Sequence, residues 1–377
     1  MKKRPSIFVK AGNVDFTFLI MVIIILIFGL TMMFSASSAP AHYMYDDAFY
    51  FIKRQLFFAL LGLVGMYIVS QMDHRLVKNL SFPLLIITVI LLILVLIIGQ
   101  EIKGAKRWIS IGPLSFQPSE LAKYCVIIFM ATSISARKKK IERFVYDFCP
   151  YLLFCGIIAG LVFLEDHLSG AFTVFVAGMI VLFVGGAKIW HFLLFLPPVA
   201  LAVIAAIAFE PYRLKRFLSF LDPFENYLGD GFQIVQSLYA IGSGGFFGLG
   251  LGQSRQKYLY IPEPHNDFIF PVICEELGFF GATLLILLFA ILIWRGIKIA
   301  IDAPDTFSSM VVLGIIGLIG FQVMINIAVV TGSMPVTGMP LPFFSYGGTA
   351  LFFQLLAMGF VLNISRYSKD KNVINHS

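Results

Sequence analysis

The chain has 377 residues, of which 59% are hydrophobic and only 13% charged, and its mean hydropathy is +0.90. Apolar residues recur in blocks of about 20, the length of a membrane-spanning helix, and this excludes an ordinary soluble fold. The net charge of +7 is not carried by a compact basic module, so nucleic acid is not an expected partner.

Ten apolar blocks predict an all-α polytopic membrane protein, with residues 1–377 forming a single domain. The blocks are continuous, whereas the strands of a membrane β-barrel would alternate between apolar and polar residues. The predicted spans cover residues 16–34, 55–71, 82–99, 120–136, 150–164, 171–186, 189–209, 268–294, 308–330 and 348–364.

The first block lies between a basic start and the sequence SASSAPA, a pattern similar to a signal peptide with its cleavage site. Its apolar run of about 18 residues is longer than the run of about 7–15 residues that is usual in signal peptides. We therefore expect an uncleaved first span.

The orientation of the spans follows from the distribution of the 28 lysines and arginines, most of which fall in alternate connecting segments. Cytoplasmic segments are enriched in these residues, so both termini are predicted to be cytoplasmic. Three segments rich in polar residues, proline and glycine then lie outside. They are residues 100–119, a long loop of about residues 210–266 before the eighth span, and residues 331–347.

Several cations lie in the outer loops, where the topology does not require them. Arginine and lysine are the usual protein ligands of phosphate, so this cluster indicates a pyrophosphate-bearing, lipid-linked substrate. The alternative is a solvated loop that meets lipid headgroups. The candidate substrate-binding cations are Lys106, Arg107, Arg213, Arg216, Arg255 and Lys257, and the polar residues Gln236 and Ser237 of the long loop are further candidates.

Glu120 and Lys123 are spaced i and i+3 at the predicted outer end of the fourth span. This spacing places both side chains on one helical face, within reach of an ion pair. The pair either fixes the helix or positions substrate, and the two roles are compatible.

Asp267 begins the eighth predicted span, which over residues 267–294 would be about 42 Å long against a hydrocarbon core of about 30 Å. The outer end of the helix must therefore tilt or stand in a polar cavity. Asp267 is either the N-cap of this helix or a functional carboxylate. Glu275 and Glu276 fall deeper in the same span, where carboxylates need partners, and we expect them to hold the fold.

The glycine-rich run GSGGFFGLGLG at residues 242–252 is compatible with an anion-binding nest of backbone amides, or with a closely packed loop. The six histidines and four cysteines show no metal-ligand spacing, so no protein metal site is predicted.

Three motifs resemble the SEDS family of bacterial cell-wall proteins (FtsW, RodA and SpoVE). They are GAKRWISIGPLSFQPSELAK, the stretch from YRLKRFLSF through GLGQSRQKYLYIPEPHNDFIFPVICEELG, and PVTGMPLPFFSYGG. The motifs occur in the order of the family, and YDDAFYFIKRQL and GLGQSRQKY are more similar to the FtsW/SpoVE branch. One departure is the sequence Glu165-Asp166-His167-Leu168-Ser169-Gly170, where the family often has a Pro-Asp-Leu-Gly-Thr stretch.

The resemblance implies a peptidoglycan glycosyltransferase of the bacterial cytoplasmic membrane that polymerises lipid II at the outer face, in division or sporulation. It implies a class B penicillin-binding protein transpeptidase as partner, along with other divisome or sporulation proteins. The essential aspartate of the family falls at Asp267, which makes this residue the predicted general base of an inverting transfer. A divalent cation, Mg²⁺ or Mn²⁺, is a candidate cofactor. A lipid II flippase and a non-enzymatic scaffold for the transpeptidase are the alternatives.

Overall fold

The computed structural model describes residues 12–102, 105–111, 114–137, 141–209, 219–225, 229, 231–258 and 260–367. Within them the helices are α1 (Phe16–Tyr45), α2 (Tyr50–Gln71), α3 (His74–Asn79), α4 (Ser81–Ile98), α5 (Pro118–Ala136), α6 (Cys149–Phe163), α7 (Leu168–Val184), α8 (Ile189–Ala208), α9 (Phe232–Ser243), α10 (Ile269–Ile301), α11 (Thr306–Val330) and α12 (Gly348–Ser365). A π-helical segment, Phe144–Phe148, leads into α6, and there are three short strands, β1 (Gln100–Ile102), β2 (Ala105–Ile111) and β3 (Leu114–Phe116).

The protein is an all-α polytopic membrane protein, as predicted. Eight helical segments of the described chain are long and apolar enough to cross a bilayer, and α7 and α8 are shorter apolar helices at two further predicted spans. Each of the ten predicted blocks thus coincides with a helix, while the number of crossings stays a prediction. The first span runs past its predicted end to Tyr45, and the eighth runs to Ile301 and contains a break at Gly278.

Both described ends of the chain lie at the same end of the helix bundle. The backbone N–H of Gly12 donates to the carbonyl of Arg366 at 3.1 Å, and Arg366 Nε donates back to the Gly12 carbonyl at 3.1 Å. Nearby, Asn363 Nδ2 donates to the carbonyl of Val69 at 3.0 Å and ties the end of α12 to the end of α2. An even number of crossings would bring the two ends together in this way.

The predicted outer loop 100–119 is not irregular. It contains an antiparallel sheet in the order β1-β2-β3, with Ser110 of β2 opposite Ser115 of β3. Side chains alternate between the two faces of a strand. Lys106 is therefore exposed, whereas its neighbour Arg107 is partly buried against the helices.

Two polar contacts join α1 to α10 near opposite ends of the pair. Arg295 Nε donates to Asp15 Oδ2 at 2.8 Å, and Ser35 Oγ donates to Glu276 Oε1 at 2.7 Å. The two contacts are about 20 residues apart on each helix, or about 30 Å along the axis, which is the thickness of a hydrocarbon core. The two contacts therefore mark two levels along the helix axis that are one hydrocarbon thickness apart. Asp267 lies past the Ser35–Glu276 level, on the side away from Arg295.

Candidate active site

A cavity of about 830 Å³ lies at the end of the bundle opposite to Gly12 and Arg366. Its walls come from the first turns of α2, α5 and α12, from the sheet, and from the segments that precede α10 and α12. The polar and charged side chains on its wall include Lys53, Arg54, Arg107, Gln117, Glu120, Lys123, His167, Asp267 and Gln322.

Asp267 is partly buried on the cavity wall and is not the N-cap of α10. The helix begins at Ile269, and the capping position is Phe268, which supplies no side-chain hydrogen bond. Of the two readings of this carboxylate, the N-cap is therefore wrong. The Asp267 side chain lies on the cavity wall.

The backbone of the Asp267 segment is fixed at three consecutive carbonyl groups. The His265 carbonyl accepts from Tyr346 N–H at 2.7 Å, the Asn266 carbonyl from Ser345 Oγ at 2.6 Å, and the Asp267 carbonyl from Asn326 Nδ2 at 2.7 Å. Buried carbonyls need such partners, and here the partners come from α11 and from the loop before α12. Residues distant in sequence thus set the position of the Asp267 carboxylate.

Aromatic packing supports the same segment. The His265 ring lies 4.3 Å from the Phe51 ring, centroid to centroid, and 5.8 Å from Tyr346. The Phe51 and Tyr346 rings are 5.0 Å apart in an edge-to-face arrangement, which is a favoured geometry. The first turn of α2 is therefore packed directly against the segment that carries Asp267.

Sequence reasoning missed two cations of the site, Lys53 and Arg54. Both line the cavity from the first turns of α2. The Arg54 guanidinium lies 4.5 Å from the centroid of the Tyr50 ring, and Lys53 Nζ lies 2.8 Å from Asp47 Oδ2. The sequence FIKRQL could have indicated them, because it places two cations at the outer end of a predicted span, where the positive-inside rule does not expect them.

Glu120 and Lys123 form the ion pair that their spacing predicts, with Oε2 and Nζ 2.6 Å apart. Both side chains line the cavity and are nearly buried, so the pair is desolvated on the protein side and open only toward the cavity. It can hold α5 in place and still present its charges to a ligand.

The segment that departs from the family pattern also contributes to the site. His167 lines the cavity, and its Nδ1 lies 3.2 Å from Ser119 Oγ and 3.3 Å from Gln117 Nε2. Burial, with the nearby cations Arg107 and Lys123, lowers the His167 pKa to about 3, so the ring is neutral. Since Gln117 Nε2 can only donate, we assign Nδ1 as the acceptor and Nε2 as the nitrogen that carries the proton.

Glu165, the first residue of this segment, is fully buried, and neither of its oxygens has a hydrogen-bond partner among the described residues. Burial raises its pKa to about 8, although the nearby Arg107 opposes the shift. Burial also lowers the pKa of Arg107, and the nearby Asp166 and Glu165 oppose this shift. The charge of Arg107 is therefore held between the cavity and a buried carboxyl group.

Lys257 requires a correction, because it was predicted to bind substrate. Its side chain is buried, and its Nζ lies 2.9 Å from Glu276 Oε1 and 2.7 Å from the Gly252 carbonyl. The ammonium is engaged within the protein and is not among the described groups that line the cavity. We assign it a structural role.

The other predicted substrate-binding residues have separate outcomes. Ser237 is buried on α9 and donates to the Val330 carbonyl at 2.6 Å, which is a structural contact. Lys106 and Arg255 are exposed, Gln236 is nearly buried, and none of the three is among the described residues of the cavity wall. Arg213 and Arg216 lie outside the described residues.

The carboxylates Glu275 and Glu276 find their partners in the loop that precedes them. Glu275 accepts from the backbone N–H groups of Arg255 at 3.0 Å and Gln256 at 3.2 Å, and Glu276 accepts from Gly252 N–H at 2.9 Å. The glycine-rich loop and the residues that follow it therefore do present amides to anions, but the anions are side chains of α10. Both carboxylates hold this loop to the helix.

Among the described residues, no three His, Cys, Asp or Glu side chains converge in a way that could hold a metal ion. The donors present thus do not fit a protein-held divalent ion, and the positive charge of the site comes from Lys53, Arg54, Arg107 and Lys123.

A family model described as "Cell cycle protein", which covers FtsW, RodA and SpoVE, matches residues 16–370. The chain is 48% identical over 366 residues to stage V sporulation protein E of Bacillus subtilis (strain 168), which covers 96% of this chain and 99% of the relative. It is 41% identical over 359 residues to a probable peptidoglycan glycosyltransferase FtsW of Geobacter sp. (strain M18), with 94% and 98% covered.

The fold also matches a solved structure described as showing structural coordination of polymerization and crosslinking by a peptidoglycan synthase complex. The TM-score is 0.80 at 34% identity, and the match covers 95% of this chain and 99% of the other.

Proposed function

We infer from the membership of this chain in the FtsW/RodA/SpoVE family of cell cycle proteins, the SEDS family, that it is a peptidoglycan glycosyltransferase. One observation carries the site assignment: a carboxylate, Asp267, shares a cavity with the cations Arg54, Arg107 and Lys123. Such a cavity suits a sugar acceptor at one end and a pyrophosphate leaving group at the other. The proposed substrate is lipid II, whose disaccharide is linked to undecaprenyl pyrophosphate.

Asp267 is the proposed general base. Its carboxylate takes the proton of the acceptor 4-hydroxyl while that oxygen attacks the anomeric carbon of the donor. The new C–O bond forms as the bond from the anomeric carbon to the pyrophosphate oxygen breaks, so a single displacement inverts an α-linked donor to a β-linked glycan. The fixed backbone of the Asp267 segment keeps the carboxylate in position for this step.

The pyrophosphate gains negative charge as it leaves, and fixed cations stabilise that charge. Arg54, Arg107 and Lys123 line the same cavity and can do this. Arg107 is suited to the role because its guanidinium can form two parallel hydrogen bonds to phosphate oxygens. His167 would contribute its Nε2–H as a further donor.

The polyprenyl chain of the donor needs an apolar route into the cavity. Phe57 lines the cavity and is also 46% exposed on the outside of α2. The cavity wall is therefore continuous with a lipid-facing surface, and α2 is the proposed side from which the donor enters.

A class B penicillin-binding protein is the proposed partner, together with divisome or sporulation proteins, and the cavity is proposed to face the outside of the cytoplasmic membrane. These proposals are supported by the likeness to the peptidoglycan synthase complex and to the sporulation protein. A divalent cation remains a prediction, and it would enter with the pyrophosphate. Chelation with EDTA during turnover, followed by Mg²⁺ or Mn²⁺ addition, tests it.

Polymerisation of purified lipid II by the purified protein in detergent or liposomes is the direct test of the activity. Glycan strands longer than a disaccharide, separated by gel electrophoresis, are the expected product. Transport of lipid II across the bilayer without polymer would favour a flippase. Neither activity, with stimulation of the transpeptidase, would favour a scaffold.

A further inference from the structure

Residues 244–252, GGFFGLGLG, lie against the break in α10 and are called here the apolar segment. Two amides of α10 donate to it, Phe279 N–H to the Gly245 carbonyl at 2.9 Å and Phe280 N–H to the Phe246 carbonyl at 3.1 Å. In return, the N–H of Leu249 donates to the Glu275 carbonyl at 2.9 Å and that of Gly250 to the Glu276 carbonyl at 3.0 Å. The backbone groups freed by the helix break are thus paired with the apolar segment.

Glycine makes this close approach feasible at two positions. Gly278, at the break, has φ of +67°, and a Cβ there would lie 2.4 Å from the Gly248 nitrogen. Gly248 has φ of +78°, and a Cβ there would lie 2.1 Å from the Glu276 carbonyl oxygen. Both conformations strain any other residue, so the sequence encodes this pairing of loop and helix.

The α1–α10 contacts give the depth of the apolar segment. Phe280 precedes Arg295 by about 15 residues, so it lies about 22 Å from Arg295 along α10, toward the cavity end. A hydrocarbon core that begins at the level of Arg295 is about 30 Å thick. Phe280 therefore lies roughly 8 Å inside the edge of the core on the cavity side. The backbone of the apolar segment is hydrogen-bonded to residues 275–280. It therefore lies between the depth of Phe280 and the hydrocarbon edge on the cavity side.

The side chains of the segment are apolar and face outward. Phe246 is 71% exposed and Phe247 82% exposed, while Leu249 and Leu251 are also exposed. No charged residue occurs between Gly242 and Gly252. The Phe246 ring lies 5.5 Å from that of Phe279, so this surface continues onto the lipid-facing side of α10.

We propose that the apolar segment is inserted into the leaflet on the cavity side and that its partner is the acyl-chain region of that leaflet. Non-helical backbone is tolerated at membrane depth only where its polar groups are satisfied within the protein, and the pairing with α10 meets this condition for the groups freed at the break. Water would leave two phenylalanines and two leucines exposed in one short stretch, whereas hydrocarbon stabilises them.

The insertion has a consequence for the catalytic segment. The chain leaves the bilayer at Gly252, where the Glu276 carboxylate accepts its N–H, and continues through Ser254 and Lys257 toward Asp267. The apolar segment therefore sets the height of the residues before Asp267 relative to the headgroups, the level at which a lipid-linked pyrophosphate lies.

Labelling of single cysteines with a charged, membrane-impermeant maleimide tests the proposal. The four native cysteines are first replaced by alanine, and Phe247→Cys is compared with Gln253→Cys, an exposed control six positions further along the chain. In liposomes of the purified protein, labelling of Phe247→Cys should be at least about ten-fold slower than that of the control, because a charged reagent does not enter hydrocarbon. In detergent with a permeant maleimide the two rates should be similar.

A Phe247→Trp variant supplies a second, independent reading. Its added fluorescence over the native tryptophans should be quenched by phospholipids brominated on the acyl chains. Equal labelling of the two cysteines in liposomes, or no quenching, would overturn the proposal. Protection that is seen in cell membranes but lost with the purified protein would show that another protein covers the segment, and would overturn it as well.

Discussion

Asn326 of α11 donates a hydrogen bond from Nδ2 to the backbone carbonyl of Asp267 at 2.7 Å, and the same nitrogen donates to the Met339 carbonyl at 2.8 Å. One buried amide thus links a transmembrane helix, the segment of the proposed base and the loop before α12. The relationship makes Asn326 a positioning residue, since it acts on the carboxylate through the backbone.

Replacement of Asn326 by alanine should lower kcat for glycan polymerisation by more than it raises KM. Two buried carbonyls would lose their donor, and each unpaired buried group costs about 1–3 kcal/mol. A displacement of about 1 Å at the base can reduce a rate by about 10²-fold. Met324→Ala, on the lipid-facing side of the same helix and 61% exposed, is the matched control. Normal kcat in folded Asn326→Ala protein would contradict the positioning role.

Asp267→Asn should lower polymerisation by about 10²–10⁴-fold, the range for a lost acid–base group. The amide keeps the shape of the side chain but cannot accept a proton at neutral pH. Expression, membrane insertion and binding to the transpeptidase should be unchanged, because the carboxylate caps no helix. Near-normal polymerisation by the purified variant would remove Asp267 as the base.

Arg54→Ala and Arg107→Ala should each lower polymerisation by roughly 10- to 100-fold, since a hydrogen bond to a charged group contributes about 1.5–3 kcal/mol. Arg255→Ala is the control, because that arginine is exposed and is not among the described residues of the cavity wall. The same loss in all three variants would indicate a general effect of charge at the membrane surface. Initial rates with purified lipid II measure the difference.

Exchange of the partners of the Glu120–Lys123 pair, through Glu120→Lys with Lys123→Glu, should be less harmful to stability than either single substitution. A single change leaves one nearly buried charge without its partner, which costs more than loss of both. Thermal unfolding in detergent measures the stability of the single and exchanged variants. If the exchanged protein folds like the wild type yet polymerises no better than the single variants, the charges contact substrate directly.

Glu165 should make the protein less stable as the pH rises from about 4.5 to about 8. The folded state raises the pKa of this carboxyl to about 8, so it retains its proton where the unfolded chain has lost one. The stabilisation is full below pH 4.5 and is lost as the pH passes through 8, with a magnitude of a few kcal/mol at about 1.36 kcal/mol per pKa unit. Glu165→Gln should flatten the dependence of the unfolding temperature on pH in this window, and an unchanged slope would refute the assignment.

The helices were predictable because a bilayer demands about 20 apolar residues for each span, and each of the ten blocks does coincide with a helix. The motif around Asp267 was predictable only through its resemblance to a family. The amino-acid sequence by itself left the N-cap and the functional carboxylate as open alternatives. The structure removes the N-cap, because α10 begins two residues later, and the functional carboxylate stays a prediction.

Lys257 and Arg54 show where prediction of the site failed, because the first was assigned wrongly and the second was missed. Lys257 was assigned by its position in an outer loop, but that loop folds back onto α10 and turns the ammonium toward Glu276. Arg54 was overlooked because it directly precedes the apolar block of residues 55–71. The contacts of Lys257 join residues far apart along the chain, which neither composition nor periodicity reports, whereas the positive-inside rule could have found Arg54.

The break at Gly278 divides α10 into two parts with separate surroundings. The part below the break packs one face against α1 and α11, while the part above it is held by the apolar segment and by the carboxylate contacts. The break interrupts the hydrogen-bond ladder of α10, and the amides of Phe279 and Phe280 that follow it bind the apolar segment. The direction of the upper part is therefore set by the loop that binds at the break, and not by the lower part of the helix alone.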